Sequence, residues 1–379
     1  MVKNFLRKIK YSLHMLKFLS HKNIHQLNNL LNTYSQKFAK NALNSSILIF
    51  DTTKVEPIVS VVTPAYNASV FLPLVAQSLS EQSLADRIQW IVVDDGSDDN
   101  TNELLSNLSK KYKQMGIKYL RNRFNGGATF CLRQGFNVSD APYVAWVSAD
   151  DYYIDRRKLE KDIEMLKTGF DFVFSKYNLF GESPKMSKKI ETFFSSSGDE
   201  LFADITYSNN INGSSFVIKK QVYENVGGFD DILLNVDGDY DLFSRLILCG
   251  YKIGLSNSTS FVTLRGDQVS RQSLLMKFGT SVSRGRFLYV PEIRRFLLNK
   301  FLEDPIRFYR LSYGSPFFVL ELMRLSSQPT ALCLIAEMRG EIFETFLRAY
   351  RNFVKFATGT EAYKRFIDVF YKTREKKVV

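Results

Sequence analysis

Residues 88–97 of this 379-residue chain read Ile-Gln-Trp-Ile-Val-Val-Asp-Asp-Gly-Ser, an apolar run that ends abruptly in two carboxylates. A β-branched, almost wholly apolar stretch is typical of a strand buried on both faces of a sheet. Ile58–Thr63 has the same character, and so does Tyr143–Val147, which Ser-Ala-Asp-Asp follows at 148–151. Helical patterns separate these runs, so we expect an α/β protein with a mostly parallel sheet flanked by helices.

The pattern divides the chain into three parts. Residues 1–50 are predicted to form a basic, amphipathic helical extension, because apolar residues recur three and four apart from Val2 to Leu16. Residues 55–268 contain the alternating strands and helices. Residues 271–379 have a helical pattern that is broken near the prolines at 291, 305, 316 and 329.

The net charge of +12 is placed at the two ends of the chain. Residues 1–50 carry eight Lys and Arg and no acid, and residues 271–379 carry 20 basic against ten acidic residues, which leaves −6 for the middle. An acidic centre argues against a nucleic-acid-binding module. The basic flanks suit peripheral contact with an anionic membrane surface, although solvated helix faces explain them equally well.

Cysteine and histidine usage excludes several classes of site. The three cysteines are isolated, so they predict buried thiols in a reducing compartment rather than a disulfide framework or a zinc site. The three histidines, His14, His21 and His25, all precede residue 50, which removes a His-rich zinc site from the body. No run of about 18 apolar residues and no secretory signal is found, so we expect a cytoplasmic protein.

Two acidic pairs follow predicted strands, Asp94-Asp95 and Asp150-Asp151. In an open parallel sheet, ligands bind beyond the carboxyl ends of the strands. Carboxylates gathered there repel one another unless a cation or hydrogen-bond donors offset their charge. Hard oxygen ligands of this kind suit Mg²⁺ or Mn²⁺, particularly where substrate phosphates complete the shell. The alternative is that each pair lies in an ordinary turn or caps a helix.

Six segments in a fixed order resemble the signature of the family 2 glycosyltransferases, which have the GT-A fold. They are Val59-Ser-Val-Val-Thr-Pro-Ala-Tyr-Asn67, Trp90-Ile-Val-Val-Asp-Asp-Gly-Ser97, Asn125-Gly-Gly127, Ser148-Ala-Asp-Asp151, Asn225-Val-Gly-Gly-Phe-Asp230 and Gly238-Asp-Tyr-Asp-Leu242. The resemblance covers about residues 57–265. It implies a Rossmann-like catalytic domain at 55–268 and an inverting transferase that uses a nucleoside diphosphate sugar.

The resemblance also implies which residues bind the donor. Tyr66 would pack against the nucleotide base, and Asp95 would accept a hydrogen bond from a ring N–H of the base. Such an N–H favours uracil, and thus a UDP-sugar, without fixing the base. The donor-binding set implied by the resemblance is Pro64, Tyr66, Asn67, Asp95, Asn125, Gly127 and Asp150.

The metal and the general base are implied in the same way. Asp150 and Asp151 would hold Mn²⁺ or Mg²⁺, and the metal would bridge the diphosphate of the donor. Asp239 would be the general base that takes a proton from the acceptor hydroxyl, and a single displacement would invert the anomeric centre. Asp239 also fits a helix N-cap, and the two roles are compatible.

The chain departs from the family pattern at several positions. Ser148 replaces the first Asp of the Asp-x-Asp motif, and Gly238 replaces the Glu that precedes the base, with Asp237 next to it as a substitute. The stretch 264–270 lacks the His that many members have, and Arg265 or Asp267 is the candidate in its place.

Three other functions compete with a transferase. Ser148 and Gly238 motivate a degenerate protein of this fold that serves as a carbohydrate-binding or scaffold subunit. A nucleotidyltransferase is disfavoured because residues 63–67 are not its Gly-rich basic loop, and a nucleic-acid binder is the weakest alternative. For a transferase, the expected acceptor is a glycan, a lipid-linked sugar or a polysaccharide, reached by the variable second half and the C-terminal helices at the inner face of the cell membrane.

Overall fold

The structure is a computed structural model that describes residues 21–41, 43–179, 198–207, 211–233, 236–263, 273–304, 316–326 and 341–375. The predicted amphipathic pattern between Val2 and Leu16 and the stretch 264–270 lie outside these residues.

A nine-stranded sheet forms the centre of the described part of the chain, in the order β1-β4-β3-β2-β5-β8-β7-β9-β6. The strands are β1 (Ser46–Asp51), β2 (Val59–Ala65), β3 (Ile88–Asp94), β4 (Gly116–Asn122), β5 (Tyr143–Trp146), β6 (Tyr152–Tyr153), β7 (Phe172–Leu179), β8 (Phe216–Lys219) and β9 (Ile253–Val262).

The middle of the sheet is parallel and its two outer parts are mixed. Strands β4, β3, β2 and β5 run parallel in adjacent register. Strand β1 joins β4 in the antiparallel sense, and β8 joins both β5 and β7 in the same way, whereas β7 and β9 are parallel. The predicted α/β fold class is therefore confirmed, and the four parallel strands at the centre align their carboxyl ends at one edge.

Helices cover both faces of the sheet. They are α1 (His21–Asn41), α2 (Leu72–Ser80), α3 (Thr101–Lys111), α4 (Ala128–Asn137), α5 (Lys158–Lys167), α6 (Gly198–Tyr207), α7 (Lys220–Asn225), α8 (Gly238–Leu248), α9 (Ser273–Phe287), α10 (Pro291–Glu303), α11 (Pro316–Leu325), α12 (Glu341–Ala357) and α13 (Glu361–Glu375). Helices α10 and α11 begin at prolines, where the fixed φ of proline suits the first turn and its missing N–H is not needed.

Alternate residues of the central strands enter two separate cores. Val61, Trp90 and Val92 pack beneath helices α2, α3 and α5, and Val62 and Ile91 point to the opposite face. On that second face the apolar residues of α4, α8 and the C-terminal helices form one continuous core. The helices of residues 273–375 are therefore packed onto the body through a shared core.

The N-terminal part differs from its prediction at one place. Residues 46–50 were expected to continue a helical extension, but they belong to strand β1, which pairs with β4 at the edge of the sheet. The segment Ile47-Leu-Ile-Phe50 is continuous and mostly β-branched or aromatic, which favours a strand over a helix. Helix α1 is present as expected, and it packs against α12 and α9.

Candidate active site

The loops that follow β2 and β3 are tied together at the carboxyl edge of the sheet. The backbone N–H of Asp95 donates to the carbonyl oxygen of Ala65 at 2.7 Å, and the N–H of Asn67 donates to Ser97 Oγ at 2.9 Å. Asn67 has a left-handed backbone (φ +49°), and its side-chain oxygen accepts from the N–H of Asp98 at 3.0 Å. The two motif segments therefore form one rigid loop pair.

Asp94 is fully buried and holds this loop pair in shape. Its carboxylate accepts from Tyr119 Oη at 2.8 Å, from Arg121 Nη1 at 3.1 Å and from the N–H of Ser97 at 2.7 Å. Arg121 also donates to the carbonyl oxygen of Ser97. The negative charge raises the pKa of Tyr119 above its usual range, with burial as the larger cause, so the phenol stays a hydrogen-bond donor. Asp94 thus acts as an internal anchor.

Asp95 anchors the turn after β4. Its Oδ1 accepts from the N–H of Gly126 at 2.7 Å and from Asn122 Nδ2 at 2.9 Å, and its Oδ2 accepts from the N–H of Gly127 at 2.8 Å. Gly127 has φ +96°, a conformation open to glycine at little cost, and α4 begins at the next residue. A carboxylate has about four acceptor positions. Asp95 therefore uses three acceptor positions to shape the turn, and the buried thiol of Cys131 lies against the same carboxylate.

The second acidic pair follows β5, which lies beside β2 in the sheet. Asp150 is partly exposed, whereas Asp151 is 5% exposed. Asp151 accepts from the N–H of Thr263 at 2.8 Å and from Ser214 Oγ. Burial, and then the charge of Asp150, raise the pKa of Asp151 to about 7. The pair therefore carries negative charge that the neighbouring hydroxyl and amide offset only in part.

The donor set at this pair is compatible with a hard divalent cation. Mg²⁺ is usually bound by one or two carboxylates together with water and substrate phosphates, so a cage of three protein ligands is not required. Among the described residues no group of three or more His, Cys, Asp and Glu side chains is arranged around a common point. The part-exposed Asp150 is the outward carboxylate of the pair, and Asp151 lies behind it.

The predicted general base lies at the start of helix α8. Asp239 is partly exposed in the first turn, and its Oδ1 accepts from the N–H of Tyr240 at 2.7 Å. The positive end of a helix suits a negatively charged side chain. A Cβ added to Gly238 would lie 2.7 Å from Thr129 Oγ1, so α8 begins in direct contact with the start of α4. The helix that carries Asp239 therefore adjoins the turn that Asp95 holds.

Helix α8 is fixed from behind by a buried charge network. Arg286 of α9 donates to the carboxylates of Asp230 and Asp241, and Arg245 donates to Asp241 Oδ2 at 2.7 Å. Arg286 also donates to the carbonyl oxygen of Ala357 at 3.2 Å. Two arginines and two aspartates pair inside the protein, and this pairing fixes α8 against the C-terminal helices.

The predicted donor-binding residues fall on the loops of one sheet edge. Tyr66 is 54% exposed beside them, and Asn125 is exposed in the turn after β4. Pro64 is half-buried near the end of β2. Of the predicted substitutes, Asp237 accepts from Ser283 Oγ at 3.0 Å and so faces α9, whereas Arg265 and Asp267 lie outside the described residues.

Several residues of the site carried no usable sequence signal. Ser214 and Thr263 reach Asp151 from elements more than 60 residues away along the chain, and only the folded sheet brings them together. Arg121 and Asn122 had a signal that was not used, because they end the third parallel strand at the same edge as the acidic residues.

Comparisons with known proteins agree with this geometry. Residues 60–226 match the family model described as glycosyl transferase family 2. The putative teichuronic acid biosynthesis glycosyltransferase TuaG of Bacillus subtilis is 32% identical over 131 residues, which are 34% of this chain and 50% of TuaG. The UDP-Glc:alpha-D-GlcNAc-diphosphoundecaprenol beta-1,3-glucosyltransferase WfgD of Escherichia coli is 28% identical over 132 residues, 35% of this chain and 50% of WfgD. The chain thus spans about half the length of these two relatives.

The fold is shared with a solved structure. The crystal structure of residues 1–349 of S. aureus TarS in complex with UDP-GlcNAc superimposes with a TM-score of 0.51 at 16% sequence identity, covering 84% of this chain and 91% of that chain. Similarity at this level of identity bears on the fold alone. Together with the family match over residues 60–226, it shows that the chain contains a family 2 glycosyltransferase domain with the GT-A fold.

Proposed function

We propose that this protein is an inverting glycosyltransferase that moves a sugar from a nucleoside diphosphate sugar, most simply a UDP-sugar, to a hydroxyl group of its acceptor. The observation that carries the proposal is the contact between Gly238 and Thr129, which sets the first turn of α8 against the turn that Asp95 holds. A carboxylate base and a donor-binding loop belong in one site, since the acceptor hydroxyl attacks the anomeric carbon of the bound donor.

In this proposal Asp239 takes the proton of the attacking hydroxyl. A general base must be reachable from the acceptor, and Asp239 is partly exposed. Its Oδ1 accepts from the N–H of Tyr240, which orients the carboxylate at the start of the helix. The buried network of Arg286 and Asp241 holds the helix in place, so the position of the base does not depend on a surface loop.

The donor is bound at the loops after β2, β3 and β5. Tyr66 supplies an exposed aromatic face for the base, and Asp95, in the loop after the neighbouring strand, supplies a carboxylate that suits a ring N–H. Asp150, with Asp151 behind it, would hold Mg²⁺ or Mn²⁺ and face the diphosphate. When bound, the metal supplies positive charge that offsets the negative charge of the departing nucleoside diphosphate.

Two sequence relatives and one structural neighbour support the choice of substrates. WfgD is named as a transferase that uses UDP-Glc and acts on a GlcNAc-diphosphoundecaprenol, and TarS was crystallised with UDP-GlcNAc. TuaG is named as a putative glycosyltransferase of teichuronic acid biosynthesis. We therefore extend the proposal to a lipid-linked or polysaccharide acceptor and to UDP as the leaving group.

The proposal includes peripheral contact with an anionic membrane surface. Among the described residues no helix combines the length and the apolar character needed to cross a bilayer. The edge strand β1 exposes Ile47 (59%) and Leu48 (54%), and Leu43 (76%) and the exposed Lys40 lie just before it. Cosedimentation with phosphatidylglycerol vesicles should fall when Ile47 and Leu48 are both changed to Ser. Equal partitioning of the variant and the wild type would contradict this contact.

The central experiment is donor turnover. The protein would be incubated with a panel of nucleoside diphosphate sugars in Mn²⁺, Mg²⁺ or EDTA, with membrane extract as acceptor, and released nucleoside diphosphate would be measured. We expect metal-dependent release from one donor, and the rate of this release should fall by at least about a hundredfold in Asp239→Asn. Asp368→Asn, an exposed change on α13, is the matched control and should behave as wild type.

If no sugar nucleotide in the panel released nucleoside diphosphate, the proposed catalysis would be contradicted. If the protein still bound a sugar nucleotide in that case, the carbohydrate-binding scaffold suggested by Ser148 and Gly238 would replace the enzyme. If Asp239→Asn retained full activity, the assignment of the base would be wrong while the transferase activity would stand.

A further inference from the structure

The end of helix α1 lies directly on the turn 124–127, although it precedes the family domain by about 20 residues. The side chain of Asn41 is buried and donates to the carbonyl oxygen of Gly126 at 3.0 Å. Asn44 both donates to the carbonyl oxygen of Phe124 and accepts from its N–H, at 2.9 and 3.1 Å. These contacts fix the approach of α1 to the turn whose other side Asp95 holds.

Lys37 is the charged residue that this approach brings to the turn. Its ammonium donates to Asn125 Oδ1 at 2.8 Å, and its side chain is half-buried. Burial lowers the pKa of Lys37 as the largest influence, and the nearby carboxylate of Asp95 opposes this shift. An ammonium has three N–H groups, of which Asn125 accepts one. Desolvating a cation costs free energy, so a lysine placed here needs an anionic or strongly polar partner to offset that cost.

A cation at this turn would offset part of the negative charge of the bound donor. A nucleoside diphosphate is anionic, and the strand ends around its proposed position carry Asp94, Asp95, Asp150 and Asp151. Arg121 offsets the charge of Asp94, and the metal would offset the charge at Asp150. Lys37 reaches the remaining part of the edge, between Asp95 and Asn125, from outside the family domain.

We propose that Lys37 binds the nucleotide half of the donor and that the end of α1 forms one wall of the donor site. The inference rests on the proposed function and adds a residue to it. The group that Lys37 meets is an electronegative oxygen, either a carbonyl oxygen of the base or a phosphate oxygen. A charge-assisted hydrogen bond of this kind is about twice as strong as a neutral one.

The test is nucleotide binding by calorimetry on the full chain, with UDP and GDP as probes in the presence of Mn²⁺. Lys37→Met removes the charge and keeps the length of the side chain, and we expect it to raise the Kd of the bound nucleotide by about tenfold or more. Lys37→Arg should recover most of the affinity. Lys40→Met is the control, because Lys40 is exposed one turn further along and lies over the ring of Phe124 at 4.3 Å. It should bind as wild type.

The comparison of uridine, UMP and UDP identifies the oxygen. A loss already present with uridine places Lys37 at the base, and a loss that appears only with UDP places it at the diphosphate. The melting temperature without nucleotide should be the same for Lys37→Met and wild type, which separates binding from stability. Unchanged affinity in Lys37→Met, with the wild type binding normally, would overturn this inference alone. If the wild type bound neither nucleotide, the proposed function and this inference would both be overturned.

Discussion

The two acidic pairs of the sheet edge look alike in the sequence and differ in the fold. Asp94 and Asp95 together accept six hydrogen bonds, including one from a guanidinium and three from backbone N–H groups. Asp151 is met by a serine hydroxyl and one backbone amide, and its pKa is raised to about 7. The first pair is therefore compensated by hydrogen bonds within the protein, and the second pair is the one to which the proposed function assigns the cation.

The difference shows how one motif type serves two purposes. A buried carboxylate that gathers backbone N–H groups and an arginine shapes loops, because those donors replace the water that it lost. A buried carboxylate that gathers fewer such donors, as Asp151 does, loses its proton less readily, and its pKa is raised. Compensation by neighbours, rather than the presence of two aspartates, thus distinguishes the pair that shapes the loops from the proposed metal-binding pair.

The largest effect should come from the outward carboxylate of the second pair. Asp150→Asn removes a charge from the proposed metal site, and we expect metal-dependent donor turnover to fall by at least about a hundredfold. The melting temperature should stay within about 2 °C of wild type, because Asp150 is partly exposed. Steady-state kinetics and thermal unfolding measure the two quantities, and a variant that is active but unstable would reverse the assignment.

The first pair should respond in the opposite way. Asp94→Asn leaves Arg121 and Tyr119 without their carboxylate, so we expect the free energy of unfolding to fall by about 3 kcal/mol. Urea unfolding measures this loss. Asp98→Asn, close by along the chain and exposed, is the control for a change of one charge. A stability equal to wild type would mean that Asp94 is not an anchor.

The raised pKa of Asp151 in the second acidic pair makes the stability of the protein depend on pH. The folded protein keeps the proton of Asp151 up to about pH 7, whereas the unfolded chain loses it near pH 4. The unfolding free energy of the metal-free protein should therefore decrease as the pH rises, by about 2 kcal/mol between pH 5 and 7.

The matched variant for this pH dependence is Asp151→Asn, which cannot ionise. In EDTA its unfolding free energy should change less between pH 5 and 7 than that of wild type, as followed by urea midpoints. Equal pH dependence in both proteins would show that Asp151 titrates normally in the fold.

The smallest effect concerns the hydroxyl that supports Asp151. Ser214 Oγ donates to Asp151 and accepts from the N–H of Ser148 at 3.0 Å, so Ser214→Ala should cost about 1 kcal/mol of stability. Ser45→Ala, an exposed serine, serves as the control in the same urea experiment. If Ser214→Ala left the free energy of unfolding unchanged, the hydrogen bond that stabilises Asp151 would be the one from Thr263 alone.

The sequence predicts the centre of this fold well and its periphery poorly. Strands β2, β3 and β5 are apolar runs that end in motif residues, and both signals are local. Strand β1 was missed because residues 1–50 were grouped as one helical extension on an apolar spacing that was read only between Val2 and Leu16. The two-residue strand β6 and the polar strand β9, with Ser256, Ser258 and Ser260 buried, carry no apolar run to detect.

The residues of the candidate site also fall into a group that the sequence predicts and a group that it does not. The carboxylates and the glycine turn lie in contiguous motifs, so their presence could be predicted from residue order. The neighbours that decide the roles of these residues come from distant elements. Examples are the contacts of Thr263 with Asp151, of Arg286 with Asp241 and of Lys37 with Asn125. A single sequence carries no signal for such pairings, because they depend on how helices and strands pack.

The measurement that tests the account most directly is Mn²⁺ binding at a UDP concentration that saturates each protein, followed by the electron paramagnetic resonance signal of free Mn²⁺. The account predicts that the wild type binds the metal, that Asp150→Asn loses at least about ten-fold in metal affinity, and that Asp95→Asn keeps the metal affinity of wild type. Loss of the metal in Asp95→Asn with normal binding in Asp150→Asn would contradict the division of roles between the two pairs.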